Sequence, residues 1–161
     1  MFSSSRTSAC LVLVALGAAA AGCGGSSSGG SGGGSALSKA QLDAAANAIC
    51  AAESTAGEAV PAPNSNSIQD AKKAAAYFDQ IDPIISSATT KLVALKPDSS
   101  IATDWNAYIA LRKQFSTTIH DIRQKADAAD PSGLTEYAGL SDLGPKVDTA
   151  ATKAGASTCA E

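Results

Sequence analysis

The sequence predicts an all-α fold, an up-and-down four-helix bundle closed by one disulfide and preceded by a signal peptide and a flexible tether. Three observations lead to this prediction. Apolar residues recur every three or four positions through four stretches, the connections between those stretches are mostly short, and two cysteines stand near the ends of the region. The predicted segments are a lipoprotein signal peptide over 1–22, a lipid-anchored Gly/Ser tether over 23–36 and the helical bundle domain over 37–161.

The amino terminus has the three parts of an export signal. Arg6 lies in a short polar start, residues 9–21 are almost entirely apolar, and small residues precede Cys23. The apolar run is too short to span a membrane stably. Ala20-Ala21-Gly22-Cys23 resembles a bacterial lipobox, with Ala20 in place of the usual Leu. We therefore expect cleavage before Cys23 and lipidation of its thiol, which would hold the protein on the outer face of the cell membrane. The alternative is a protein that is simply secreted.

The other cysteines are interpreted from that cleavage. Residues 24–35 are nearly all Gly and Ser, a composition that forms a flexible coil with a reach of roughly 20 Å. Cys10 would leave with the signal and Cys23 would carry lipid. Cys50 and Cys159 then remain as one pair in an oxidising compartment, and a disulfide between them is expected. Two buried free thiols are the alternative.

The first helix is predicted by a capping box, in which Gln41 follows Ser38 by three residues. We expect it to fray near Gly57 and to be followed by an irregular connection over residues 60–66, which contains two prolines. The residues at helical spacing that should form its buried stripe are Leu42, Ala45, Ala46, Ile49 and Ala52.

The second helix should begin near Ser67 and end at Leu95, before Lys96-Pro97. Asp82-Pro83 interrupts its apolar seam. Because the seam resumes in the same phase, we expect one long helix with a kink, although a second helix beginning at Asp82 is the alternative. The seam consists of Ile68, Ala71, Ala75, Phe78, Ile85 and Leu92.

Two further helices complete the bundle. The third follows residues 98–100 and should end near Ala129, with Asp130-Pro131 opening the next element. Three glycines and Pro145 disfavour a continuous fourth helix, so two pieces are expected there, followed by Gly155 as a plausible C-cap. The third seam consists of Ile101, Trp105, Tyr108, Phe115, Ile119, Ile122 and Ala126, and the fourth of Leu140, Leu143, Val147, Ala151 and Ala154.

Asp82 and Arg112 are polar residues within otherwise apolar seams. Counting outward from Pro97 along two antiparallel helices places them at the same level, so we expect them to form a buried ion pair. The alternative is that each side chain reaches solvent independently, which the long arginine stem allows.

Several features of the chain are similar to those of small helical lipoproteins from actinobacteria. They are Gly22-Cys23, the Gly/Ser tether, Ala48-Ile49-Cys50, Leu92 and Leu95 before Pro97, Trp105 with Tyr108, and Cys159 near the end. The resemblance covers the whole chain loosely, and only the cysteine arrangement is specific. It implies a disulfide-stapled bundle on the outside of the cell and carries no activity or cofactor with it.

Composition and spacing argue against several functional classes. The chain has 12 basic and 15 acidic residues, and loss of Arg6 with the signal would leave 11 and 15, a net charge of −4. This balance argues against nucleic acid as a partner.

His120 is the only histidine in the sequence, and Thr117 stands where a Glu-x-x-His motif would need glutamate. No metal site is therefore predicted, and His120 is expected on the solvated surface. No catalytic serine or carboxylate pair is evident, and no cofactor is expected.

Binding functions are the remaining hypotheses. The aromatic residues Phe78, Trp105, Tyr108 and Phe115 could line a ligand cavity, although the favoured expectation is that they fill the core. The first hypothesis is a noncatalytic binding or interaction module at the cell envelope, with a protein partner or an apolar small molecule. The second is a carrier of an apolar ligand, lipid or haem, within the bundle. A small hydrolase is a distant third.

Overall fold

The computed structural model describes residues 36–63 and 71–160, apart from the side chains of Ala71 and Lys72. Four α-helices run in chain order: α1 Lys39–Glu58, α2 Ala71–Ala94, α3 Ala102–Asp127 and α4 Ser132–Lys153. A short 3-10 helix, Ser157–Ala160, follows. The helices that are consecutive in the chain pack against each other, and the 3-10 helix packs against both α1 and α4. This is the predicted up-and-down bundle. The lipobox, the tether and the predicted start of the second helix at Ser67 lie outside the described residues.

The interior of the bundle contains two apolar clusters. The larger surrounds Trp105 and Tyr108 and receives side chains from all four helices and from the 3-10 helix. The smaller surrounds Phe78 and Ile119. Phe115 packs against both clusters, so it joins them along α3. None of the described helices is long and apolar enough to cross a membrane.

The start of α1 is held by its own cap and by the turn between α2 and α3. The side chain of Gln41 reaches back and accepts a hydrogen bond from the backbone N–H of Ser38 at 3.0 Å, as the capping box predicts. Leu37 donates its N–H to Lys96 and accepts one from Asp98, at 2.7 and 2.8 Å. These backbone bonds attach the beginning of the bundle to the α2–α3 connection.

Helix α2 is continuous through Pro83, which lies on its exposed side. Pro83 has no N–H to donate to the carbonyl of Asp79, so α2 lacks one internal hydrogen bond at this point. The prediction of one long helix is therefore confirmed, and the alternative of a second helix beginning at Asp82 is wrong. Packing of Phe78 and Ile85 on either side of the gap holds both halves on the same core.

Helix α4 is one continuous helix, whereas the sequence predicted two separate pieces in this region. Pro145 lies inside it, and Gly139 and Gly144 do not interrupt it. Leu143 and Val147 are buried on either side of Pro145, and α4 packs along α3. Burial of these side chains outweighs the poor helix propensity of glycine and proline. Pro145 itself lies on the exposed face of α4.

Gly155 ends α4 in the way the sequence predicts. It adopts a φ of 85°, and the N–H groups of Gly155 and Ala156 bond the carbonyls of Thr152 and Ala151, which makes a Schellman motif. A Cβ at this position would displace the Asp43 carboxylate, which is the end of a flexible side chain, so it is the positive φ that requires glycine.

The disulfide between Cys50 and Cys159 is present, with the two Cα atoms 5.1 Å apart. Asn47 supports the same junction, since its Oδ1 accepts the N–H of Thr158 at 3.0 Å and its Nδ2 donates to the carbonyl of Gly155 at 3.5 Å. The tail is thus attached to α1 by one covalent bond and two hydrogen bonds. The prediction of a disulfide is confirmed and that of free thiols is wrong.

Candidate functional site

Asp82 and Arg112 are both buried, at 4% and 6% exposure, but they do not bind each other. The Asp82 carboxylate accepts hydrogen bonds from His120 Nδ1 at 2.9 Å, Arg123 Nη1 at 3.1 Å and Ser86 Oγ at 3.1 Å. The predicted pairing of Asp82 with Arg112 is therefore wrong. The alternative, in which each side chain reaches solvent independently, is also wrong, because both side chains lie inside the bundle.

The geometry of side chains on a helix accounts for part of this result. Every Cα–Cβ bond on a helix leans toward that helix's amino terminus. In two antiparallel helices these directions are opposite, so Asp82 leans away from the α2–α3 turn while side chains on α3 lean toward it. The partners of Asp82 consequently come from further along α3 than the residue count from Pro97 predicts. His120 and Arg123 follow Arg112 by about two and three turns.

The hydrogen bonds around Asp82 define its charge state. Burial alone would raise the pKa of Asp82, but the hydrogen bonds from His120, Arg123 and Ser86 outweigh burial and hold that pKa below its usual value of 3.8. Asp82 is therefore an ionised carboxylate at neutral pH. Arg123 also binds Asp79 at 2.7 Å, so it joins a buried and an exposed carboxylate of α2.

His120 is partly exposed, as expected for a surface residue, with 45% of its side chain accessible. It is nevertheless held between two partners, since Nδ1 bonds Asp82 and Nε2 lies 2.7 Å from the amide nitrogen of Gln124. Among the described residues, no group of three or more His, Cys, Asp or Glu side chains is placed to hold a metal ion.

Arg112 binds Glu53 of α1, with 7% of the arginine side chain and 15% of the glutamate side chain exposed. Its guanidinium also lies over the ring of Phe115, at 5.7 Å from the ring centre. The sequence analysis missed Glu53. The signal was present, because Glu53 follows Ala46 by seven residues and Cys50 by three, which places it on the buried stripe of α1.

A pocket of about 310 Å³ lies around this ion pair, between α1, α2, α3 and the tail. We call it the Arg112 pocket. Its walls include apolar side chains of α2 and α3, the disulfide, and polar groups on α1 and the tail. Its lining residues include Glu53, Tyr77, Ile81, Arg112, Phe115 and Thr158.

One buried donor of Arg112 has no partner. Arg112 Nε is inaccessible to solvent and makes no hydrogen bond, while Nη2 of the same guanidinium bonds Glu53. Arginine cannot lose its charge to relieve this, because its side chain stays protonated in proteins. Leaving a buried donor unsatisfied costs about 1 to 3 kcal/mol, so such a group requires an explanation.

The four aromatic residues predicted to line a cavity do not share one. Trp105 and Tyr108 are 2% and 0% exposed and pack edge to face, with their ring centres 5.5 Å apart, inside the larger cluster. Burial raises the pKa of Tyr108 to about 12, so it is a neutral core phenol. For these two residues the core-filling alternative is the one the structure shows.

Phe78 and Phe115 do reach pockets, but different ones. Phe115 lines the Arg112 pocket. Phe78 lines a smaller cavity of about 170 Å³ near the α3–α4 turn, together with the exposed side chains of Leu134 and Tyr137. The aromatic residue that joins Phe115 at the Arg112 pocket is Tyr77, which was not predicted as a lining residue.

Comparison of the chain with models of protein families, with curated proteins and with solved structures found no match.

Proposed function

We propose that the folded domain is a noncatalytic binding module that is displayed on the outer face of the cell membrane. The observation that carries the proposal is the Arg112 pocket of about 310 Å³, in which a buried ion pair lies beside apolar side chains of α2 and α3. The pocket volume lies at the low end of the range for small-molecule sites.

The arrangement around His120 supports a noncatalytic role. Asp82 and His120 have the relation of an orienting carboxylate and a base, which in hydrolases continues to a nucleophile on the other ring nitrogen. Here that nitrogen, Nε2, contacts the amide of Gln124. An amide side chain is not a nucleophile, so the pair holds α2 against α3.

The membrane location in this proposal depends on Ala20-Ala21-Gly22-Cys23. Replacement of Cys23 by Ser should release the protein into the medium, because the acylated thiol would be lost. Cys10→Ser is the matched control, since Cys10 lies within the predicted signal, and this variant should stay with the membrane fraction. If the Cys23→Ser protein still sediments with membranes, the lipidation proposal is wrong.

The binding proposal is tested by native mass spectrometry of the full chain purified from its own host. We expect a mass increase from a bound small molecule or a stoichiometric protein partner. Arg112→Met should lose that mass, whereas Lys113→Met, which changes the exposed neighbour on α3, should retain it. Detection of the unliganded chain alone in every preparation would contradict the proposal.

The second candidate is a carrier of an apolar ligand, either a lipid or haem. The apolar walls of the Arg112 pocket, among them Ile81 and Phe115, favour it. Haem is the less favoured of the two, because the histidine of the chain, His120, is bound to Asp82 and is outside the Arg112 pocket. A small molecule in the mass spectrum would support the carrier, and a protein partner would support the interaction module.

A further inference from the structure

We infer that the smaller cavity beside the α3–α4 turn is a second binding site, for an uncharged molecule about the size of one six-membered ring. The cavity has a volume of about 170 Å³ and shares no lining residue with the Arg112 pocket. This site is therefore separate from the one in the proposed function. We call it the turn cavity. Its lining residues include Phe78, Ile122, Ala126, Asp130, Leu134 and Tyr137.

The accessible wall of the turn cavity is apolar. Leu134 and Tyr137 are the exposed large hydrophobic residues in the described part of the chain, at 41% and 40%, and both line this cavity. Large apolar side chains that gather at one concave site, instead of being scattered over the surface, indicate a binding site. The ring of Tyr137 packs edge to face on Phe78, with the ring centres 6.0 Å apart, so this wall is formed before a ligand arrives.

The base of the cavity is apolar as well. Phe78 and Ile122 line it and are each 2% exposed. Water in such a space contacts few polar groups, and its replacement by an apolar molecule is favourable. An apolar cavity of roughly 150 Å³ in another protein binds benzene. The turn cavity is slightly larger, so one ring with a small substituent fits it and two fused rings exceed it.

The charge of the cavity selects against ions. No lysine, arginine or histidine is among the described residues that line it, and Asp130 is its charged residue. The N–H of Ser132 donates to the Asp130 carboxylate at 2.9 Å and holds the pKa of Asp130 below its usual value, so this group is ionised at neutral pH. An anionic ligand would lose hydration and find no cation. A cationic ligand would gain a pair that is screened by solvent, because Asp130 is exposed.

Benzyl alcohol, benzoate and benzylamine form a matched set of probes, since they share one ring and are neutral, negative and positive at pH 7. Each is titrated into the 13C-methyl-labelled full chain with its disulfide intact, and the methyl resonances of Leu134 and Ile122 are followed by NMR. We expect benzyl alcohol to shift both resonances saturably. It should bind about tenfold more tightly than benzoate and also more tightly than benzylamine. The two fused rings of 1-naphthalenemethanol should make it bind less tightly than benzyl alcohol.

Two variants test the site itself. Ala126→Leu adds three carbon atoms at a residue that lines the cavity, so it should abolish the binding of benzyl alcohol. Ala107→Leu is the matched control on the same helix, because Ala107 is exposed and is not a lining residue, and it should bind like the unmodified chain. Tyr137→Ala, at an exposed position, should weaken binding about fivefold through the loss of one aromatic wall. Circular dichroism verifies that each variant is folded.

Four results would overturn the inference: tighter binding of benzoate or benzylamine than of benzyl alcohol, tighter binding of the two-ring probe, no saturable shift at Leu134 and Ile122, or unchanged binding in folded Ala126→Leu. None of these results decides the proposed function, which concerns the Arg112 pocket. Arg112→Met tests that function in the native mass spectrum, and Ala126→Leu tests the turn cavity, so the two can fail independently.

Discussion

Asp82 and Arg112, the two buried charged side chains among the described residues, belong to separate groups of polar contacts. Arg112 and Glu53 join α3 to α1, and Asp82 with His120 and Arg123 joins α2 to α3. Each charge has an opposite charge beside it. Buried pairs of this kind contribute little net stability, but removal of one partner leaves an uncompensated charge in the interior.

A double-mutant cycle should identify the true partner of Arg112. Glu53→Ala should lower the free energy of unfolding by about 3 kcal/mol, because the guanidinium loses its counterion. The coupling between Glu53→Ala and Arg112→Ala should exceed about 1 kcal/mol, whereas Asp82→Ala and Arg112→Ala should be additive within about 0.5 kcal/mol. Urea denaturation of the single and double variants measures both. Coupling to Asp82 and none to Glu53 would contradict the structure.

The network around Asp82 predicts a dependence of stability on pH. Because the pKa of Asp82 is lower in the folded state than in the unfolded chain, its contribution is fully present above the ordinary value of 3.8 and is lost as the pH falls through the folded pKa. Asp82→Asn should therefore be less stable than the unmodified chain at pH 7, and the difference should shrink as the pH falls below about 4.

Urea denaturation between pH 2.5 and pH 7 measures this difference. Asp79→Asn is the control, since Asp79 binds the same Arg123 but is half exposed, and its replacement should cost under about 1 kcal/mol at pH 7. A difference between Asp82→Asn and the unmodified chain that stays constant over the whole range would contradict the assignment.

At the scale of the elements, α4 carries the clearest conflict between local preference and packing. It is continuous although Pro145 lies within it and three glycines precede that proline. Leu143, Val147 and Ala151 bury one face of the helix, while the proline ring lies on the exposed face. The helix thus forms because of its neighbours, at a local cost in backbone hydrogen bonding.

Pro145→Ala should therefore stabilise the protein. It restores one N–H donor and removes a clash, which together are worth up to about 3 kcal/mol in a helix interior. Pro131→Ala is the control, because Pro131 occupies the N-cap position of α4, where its missing N–H costs nothing. Urea denaturation should show a gain for the first variant and none for the second. Equal effects would mean that α4 is not strained at Pro145.

At the scale of the whole molecule, the disulfide joins residues 109 positions apart and brings the tail onto α1. Thr158 and Cys159 of the tail also line the Arg112 pocket. The covalent bond therefore supports one wall of the candidate binding site as well as the fold. Closing a loop of this length is worth on the order of 4 to 5 kcal/mol in the chain-entropy description.

Reduction of the disulfide should lower the melting temperature by more than about 10 °C, which follows from that free energy for a domain of this size. Thermal unfolding followed by circular dichroism, with and without dithiothreitol, measures the shift. The double variant Cys50→Ala/Cys159→Ala should melt at the lower temperature in both conditions. An unmodified chain whose melting does not respond to reductant would contradict a stabilising role.

The fold class, the order of the helices, the disulfide and the glycine at the end of α4 could be predicted from the sequence alone. Each depends on local information. Helical spacing identifies Leu42 and Ala46 as inward-facing, and a positive φ at a helix end selects Gly155. Cys50 and Cys159 are the two cysteines that lie outside the predicted signal and lipobox, so their pairing could be predicted by elimination. These signals require no knowledge of which helices become neighbours.

The partners of the buried charges, the continuity of α4 and the Arg112 pocket were decided by the tertiary structure. Counting residues outward from Pro97 paired Asp82 with Arg112. The count took no account of the lean of side chains toward each helix's amino terminus, or of α1, which packs close enough to supply Glu53 as the partner of Arg112. Arg112 binds Glu53, which is distant in sequence, and α4 stays helical because its apolar face is buried. Such outcomes depend on contacts between helices, whose free energies are as large as the local preferences that the sequence displays.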